Sequence, residues 1–234
     1  KVMKLEVVFS SNPYGREAID QIGAVESAVQ TAVKGTSLEN ADIAIGGVSS
    51  TFNDLKTISG NDYTRTVFLM LAGIFIILVV LLRSLVMPVY IILSLVLTFY
   101  ASIGFTEWVF VDIFGYSGVS WATPFFGFVL LVALGVDYSI FLMDRFNENK
   151  DWNVGDAILH SMRNMGTVIL SAAIILGGTM ASMYPSGVLS MLQIATLVLS
   201  GLVLYSVIVL PFLIPVMVKL FGQANWWPFH RRFG

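Results

Sequence analysis

The sequence predicts a polytopic α-helical membrane protein in which five spanning helices follow a small α/β unit. Three observations carry that prediction. Of the 234 residues, 56% are hydrophobic and only 12% charged, about half the charge of an ordinary soluble domain. Five apolar runs after residue 62 each reach, or nearly reach, the ~17–25 residues that a spanning helix requires. Residues 1–62, by contrast, hold more than half of the acids and follow a different periodicity.

Residues 2–9 are β-branched and half alternating, which predicts a strand. Asn12-Pro13-Tyr14-Gly15 is a turn signal. Beyond it, Ile19, Ile22, Val25, Val29 and Val33 recur at three and four residues, the apolar stripe of an amphipathic helix, and Gly35 is placed to end it. Residues 41–45 predict a second short strand closed by Gly46-Gly47, with Ser49 or Ser50 as the cap of a helix leading to the membrane. At about sixty residues this β-α-β-α unit has little core of its own, and its strands need partners.

The spans follow. Residues 66–82 end at Arg83, and residues 86–105 begin beside Pro88. Residues 125–143 carry an acid, residues 167–183 are rich in small side chains, and residues 188–218 contain Pro211 and Pro215, which predict a kink or a turn into the interface. Residues 146–165 fit either an amphipathic helix lying at the interface or a plain connector. Asn225-Trp226-Trp227-Pro228 reads as an interfacial anchor. The domain division that results is 1–62, 63–221 and a tail, 222–234.

Lys and Arg in the short connections set the orientation. Arg83, then Arg145, Lys150 and Arg163, then Lys219, Arg231 and Arg232 share one side, whereas the connections near Glu107, Asp112 and Tyr184-Pro185-Ser186 hold none. The basic side is predicted to be cytoplasmic, so residues 1–62 are extracytoplasmic. Nothing in this chain carries them across, which predicts a further spanning segment upstream in a longer polypeptide.

Composition also excludes classes of function. A net charge of −2 without a basic cluster offers no footprint for nucleic acid. With no cysteine, disulfides, thiol nucleophiles and thiolate metal sites are ruled out, and His160 and His230 stand in unrelated places, so no metal site is expected.

Asp137 is the residue with the most chemistry. At ~1.5 Å per residue it lies roughly 12 Å from Arg145 and about 21 Å from Thr123, near mid-membrane. A carboxylate at that depth costs a few kcal/mol and is retained where it pairs, titrates or faces a polar cavity. Positions three, four and seven away, namely Leu130, Ala133, Leu134, Ile140, Phe141 and Asp144, give it no cation, and no apolar run contains Lys or Arg. Desolvation disfavours the charged form of such an acid, which makes it a candidate for taking up and releasing protons; hydrogen-bonded glue between helices is the plainer alternative. Tyr138, about 100° around the helix, offers a hydroxyl to a relay or to a neighbouring helix. Ser171, in a stretch whose small residues first of all favour close packing, can also reach an acid opposite.

Arg83–Tyr90 (RSLVMPVY), Leu134–Glu148 (LGVDYSIFLMDRFNE), Val168–Ala173 (VILSAA), Ile45–Ser50 (IGGVSS) and Gly222–Pro228 (GQANWWP) together resemble the MMPL family of the resistance-nodulation-division (RND) superfamily of exporters. The resemblance covers nearly the whole chain, and the GVDY block is its most specific part. It implies five helices of an RND-type bundle preceded by part of an α/β porter domain, corresponding to the eighth to twelfth helices of a transporter built from two similar halves. It further implies that Asp137 and Tyr138 form one of two Asp-Tyr pairs on facing helices, the other in the first half of the transporter, that carry protons and couple their flow to export; Ser171 joins them as the hydroxyl able to reach the acid. The implied partners are the N-terminal half of the same transporter, membrane lipids, protons and a hydrophobic or lipid-like substrate, in a cell membrane, with a homo-oligomer allowed and no cofactor. The Lys and Arg that neighbour the acids in the drug-pump branch have no counterpart in these apolar runs.

Two other readings compete. A sensor or scaffold on the same fold predicts that Asp137 is dispensable. An intramembrane aspartyl protease needs a second Asp placed to share a proton, and no other apolar run holds one.

Overall fold

The computed structural model describes residues 4–10, 16–36, 38–39, 41–149 and 151–228. The turn expected at 12–15, the first residues of the expected strand, Lys150, His230, Arg231 and Arg232 lie outside the described residues. The chain divides into two compact units, Lys1–Thr66 and Val67–Gly234.

In the first unit, α1 spans Arg16–Val33. Its stripe is the one expected: Ile19 and Ile22 are buried and Val25, Val29 and Val33 half-buried. Gly35, at φ 73°, takes the left-handed conformation that ends a helix without a Cβ penalty. The two expected strands do not form: residues 4–9 and 41–46 run as irregular chain, and the described residues contain no strand. A strand is stabilised by a ladder, and these two segments are not paired with each other. α2, Val48–Leu82, begins directly after Gly47, so both serines lie within its first turn and neither is the cap. Ser50 instead sends its hydroxyl back to the Ile45 carbonyl at 3.0 Å.

Five helices are long and apolar enough to cross a membrane: Tyr63–Leu82, Val86–Ile113, Ala122–Glu148, Val154–Ser186 and Leu189–Trp226. They comprise the latter part of α2; α3, Val86–Glu107, continued by a π-helical segment Trp108–Ile113; α4, Ala122–Glu148; α5, Val154–Ala181; and α6, Leu189–Leu204, continued by a π-helical segment Tyr205–Leu213 and by α7, Ile214–Phe221. α3, α4 and α6 form the nucleus of the second unit: 44–50% of their spans is buried, against 11% for the spans of α2 and α5.

The irregularities have identifiable causes. Pro211 lacks the N–H that an α-helix needs and crowds the carbonyl four residues back; the wide π-helical segment that contains it begins six residues earlier, at Tyr205. Residues 146–165 form no separate interfacial helix, because α4 runs on to Glu148 and α5 starts at Val154, capped by the Asn153 side chain, which accepts from Gly155 N–H at 3.0 Å. The tail is not a plain anchor either. Asn225 is fully buried, donating to the Val218 and Gly222 carbonyls at 2.7 and 2.8 Å, and its own carbonyl accepts the Ser84 hydroxyl. Trp226 stacks on Phe146 with ring centroids 5.3 Å apart and donates its indole N–H to Asn147 Oδ1 at 3.0 Å. Only Trp227 is left exposed as an interfacial residue would be. Ser84, holding the Val86 and Met87 N–H groups at 3.1 Å, caps α3 and ties its start to this tail.

Candidate functional site

The acid-bearing helix α4 owes its orientation to a ridge on its opposite side. Gly127, Leu131, Gly135, Ser139 and Met143 repeat every four residues and are all buried. α6 and its continuation present Gln193, Leu197, Gly201 and Tyr205 at the same spacing. The two ridges fit because size alternates across them. A Cβ built on Gly127 would come 2.7 Å from Leu197 Cδ2, and one built on Gly201 would come 2.5 Å from Leu131 Cδ1. A Cβ on Gly135 would fall on Leu95 Cδ2 of α3, with the Tyr205 ring 3.5 Å to one side.

Polar contacts lock this zipper at both ends. Near the start of α4, Gln193 Oε1 accepts the Ser120 N–H at 2.8 Å and the Thr123 hydroxyl at 3.4 Å, and its amide N–H donates to the Gly118 carbonyl at 3.2 Å. Further along, the Ser139 hydroxyl donates to the Gly135 carbonyl at 2.9 Å, which leaves its oxygen to accept the Tyr205 hydroxyl. Tyr90 donates to Met143 Sδ at 3.7 Å. Four more buried hydroxyls, those of Ser94, Thr98, Ser102 and Thr106, are satisfied by carbonyls of their own helix, α3, the ordinary solution for such residues in an apolar setting.

Asp137 is two residues from both Gly135 and Ser139, hence roughly 200° around the helix from each. It is exposed, on a flank with Leu130, Ala133, Phe141 and Asp144; Leu134 and Ile140, expected on the same face, are half-buried at its edge. Between Phe126 and Asp144 that exposed flank is apolar except for the one carboxylate. Tyr138, by contrast, is buried at 3% exposure, and its hydroxyl has no hydrogen-bond partner among the described residues. Ser171 is exposed on α5. α4 and α5 are neighbours, yet among the described residues no hydrogen bond joins Asp137 to Tyr138 or Ser171. Helices of the second unit do carry basic side chains: Arg145 and Lys219 near helix ends, and Arg163 about a third of the way along α5. No cluster of His, Asp and Glu suited to a metal ion occurs among the described residues.

A cavity of about 570 Å³ lies elsewhere, between α3 and α6, with Phe105, Val203 and Leu204 in its wall and the Tyr184–Thr196 hydroxyl contact of 2.8 Å at its edge. Asp137 does not line it. The acid lies on an exposed surface of α4. A charge at this position is one that a lipid or an apolar helix face penalises by a few kcal/mol.

Comparison with known proteins fits this architecture. The chain is 51% identical over 234 residues to a putative membrane protein, YdgH, of Bacillus subtilis, covering 100% of this chain and 26% of the relative. It is 33% identical over 232 residues to the apo-petrobactin exporter of Bacillus anthracis, covering 97% and 31%. With the sulfolipid-1 exporter MmpL8 of Mycobacterium tuberculosis the identity is 31% over 216 residues, covering 92% and 20%. The chain thus spans between a fifth and a third of the length of these relatives. The profile of the MMPL family matches residues 1–233, and this multi-pass membrane chain belongs to that family.

Proposed function

We propose that this chain is the proton-coupled portion of an exporter of lipid-like or hydrophobic molecules, with Asp137 as its proton-carrying acid. The observation that carries the reading is the exposed, otherwise apolar flank of α4 interrupted near mid-membrane by one carboxylate. Proton binding switches that flank between a form that packs against apolar surfaces and a form that seeks a polar partner, and a ligand can drive a motion only through such a difference between states. The relatives named as exporters of sulfolipid-1 and apo-petrobactin support a transport role. Tyr138, whose buried hydroxyl is unpaired, is the candidate to bridge the acid to another element of the full-length protein, and Ser171 is the hydroxyl offered from α5.

In this reading residues 1–62 stand on the extracytoplasmic side as part of a porter domain, 63–221 form the spanning domain of the cell-membrane protein, and 222–234 face the cytoplasm. The flank carrying Asp137 meets the remainder of the transporter. The test is export by Asp137→Asn in the full-length protein, in vesicles with an imposed proton gradient and at matched protein level. Asn keeps the size and much of the hydrogen bonding but does not titrate. Loss of export at normal abundance is expected; wild-type export would sink the proton role and leave Asp137 as structural glue or a sensor residue.

A further inference from the structure

The face opposite Asp137 holds a fully buried polar contact between two spans of the bundle. Ser139 is buried at 0% exposure and Tyr205 at 1%. Their hydroxyls are hydrogen-bonded to each other, and the serine hydroxyl donates to the Gly135 carbonyl. Ser94 of α3 faces the same tyrosine hydroxyl. Three spans therefore converge on one hydroxyl, at the level where Gly135 lets Leu95 and the Tyr205 ring touch the α4 backbone. The fits of Gly127 with Leu197 and of Gly201 with Leu131 limit the roll of α4, and a buried hydroxyl pair adds a directional contact that favours one rotational setting.

Asp137 lies between Gly135 and Ser139 in sequence and roughly 200° from both. Whatever fixes the Gly135–Ser139 edge therefore fixes the direction in which the carboxylate leaves the helix. Tyr205 is also the first residue of the π-helical segment Tyr205–Leu213, a local geometry that recurs at functional sites and adjusts by one hydrogen-bond step.

We propose that Tyr205 and Ser139 are positioning residues for Asp137: their hydroxyl contact sets the rotation of α4 and so presents the acid to its proton pathway. The assignment rests on the proton-carrying role proposed above, but its test does not depend on that role.

The measurement is the labelling of Asp137 by dicyclohexylcarbodiimide, an apolar reagent that attacks protonated carboxyl groups, in membranes containing the full-length transporter. The modified peptide is quantified by mass spectrometry, with Asp137→Asn as the unlabelled reference. Tyr205→Phe and Ser139→Ala each remove one hydroxyl and leave the packing nearly unchanged. Each is expected to alter the labelling rate at least about threefold, and the double variant to match the stronger single one, because both break the same contact. Ser161→Ala, which deletes a buried hydroxyl bonded only within α5, is expected to leave the rate at the wild-type value. Unchanged labelling in both single variants, or effects that multiply in the double variant, would overturn the proposal. If labelling shifts as expected while Asp137→Asn still exports, the positioning role stands and the proton role falls.

Discussion

Leu197 of α6 occupies the space that a side chain at position 127 would fill: a Cβ on Gly127 would lie 2.7 Å from its Cδ2. The same substitution of bulk for absence recurs along α4 and α6, so the nucleus of the bundle depends on glycine at defined levels. Small residues at helix contacts are the usual means of close approach in membranes, where the lipid supplies no hydrophobic drive.

The tightest of these levels predicts a stability effect. Gly135→Ala puts its methyl onto Leu95 Cδ2, beside the Tyr205 ring, and overpacking of this kind costs about 1–3 kcal/mol. The detergent-solubilised protein should melt several degrees lower, and Leu95→Ala in the same chain should restore part of the loss. An unchanged melting temperature for Gly135→Ala would show that α4 and α3 are further apart than described.

Gln193 predicts a local effect. Gln193→Leu leaves the half-buried Ser120 N–H and Gly118 carbonyl without their partner, a loss of about 1 kcal/mol per group where water can partly replace it. Hydrogen exchange at Ser120 and its neighbours should speed up while the middle of α4 stays protected. Uniform acceleration along α4 would contradict a local clamp.

Asn225 predicts release of the tail. Asn225→Ala removes the donors to Val218 and Gly222 and loosens the contact of Trp226 with Phe146. Trp226 fluorescence should shift to the red, and a protease added to inverted vesicles should cut near residue 222 sooner. No change in either signal would show that the ring contact alone holds the tail.

The proposed orientation predicts a labelling pattern. The chain has no cysteine, so single cysteines report cleanly once any elsewhere in the full-length protein are replaced. Ser117→Cys, exposed in the connection between α3 and α4, should react with a membrane-impermeant thiol reagent added to intact cells. Asp151→Cys, in the connection between α4 and α5, should react only after the cells are opened. The reverse pattern would invert the topology.

Tyr138→Phe deletes the unpaired buried hydroxyl while keeping the ring packed. If the hydroxyl serves a relay, export should fall several-fold and not vanish, since water can substitute for a bridging hydroxyl. A gain in thermal stability with full export would mean that the hydroxyl is a tolerated defect.

Much of this bundle was legible in the sequence because spanning helices announce themselves by apolar length, and α1 by the stripe from Ile19 to Val33. Asp137 was legible for the same reason: a charge in an apolar run stands out whatever surrounds it. What was not legible depends on facing residues. The Gly127–Leu197 and Gly201–Leu131 fits need the register of two helices, which no single-helix pattern contains. Tyr205 carries no signal in the sequence, and Asn225 reads only as part of an interfacial anchor, until Ser139 and Ser84 are brought opposite them. Strand propensity at 2–9 and 41–45 misled because a strand exists only with a partner, and propensity says nothing of one.

The π-helical segment Tyr205–Leu213 also alters the arithmetic of α6 and α7. One run of buried positions steps by four from Gln193 through Leu197, Gly201 and Tyr205 to Val209, and a second steps by four from Leu210 through Ile214 to Val218, so the core-facing line moves over by one residue there. One residue more than an α-helix would use is thus absorbed between Val209 and Ile214, around Pro211. Upstream and downstream of that slip the chain keeps two reading frames of hydrophobicity, each aligned with the core. A single-residue deletion inside the segment would restore a regular four-residue step and keep α7 facing inward, whereas the same deletion in α4 would rotate every position beyond it by about 100°.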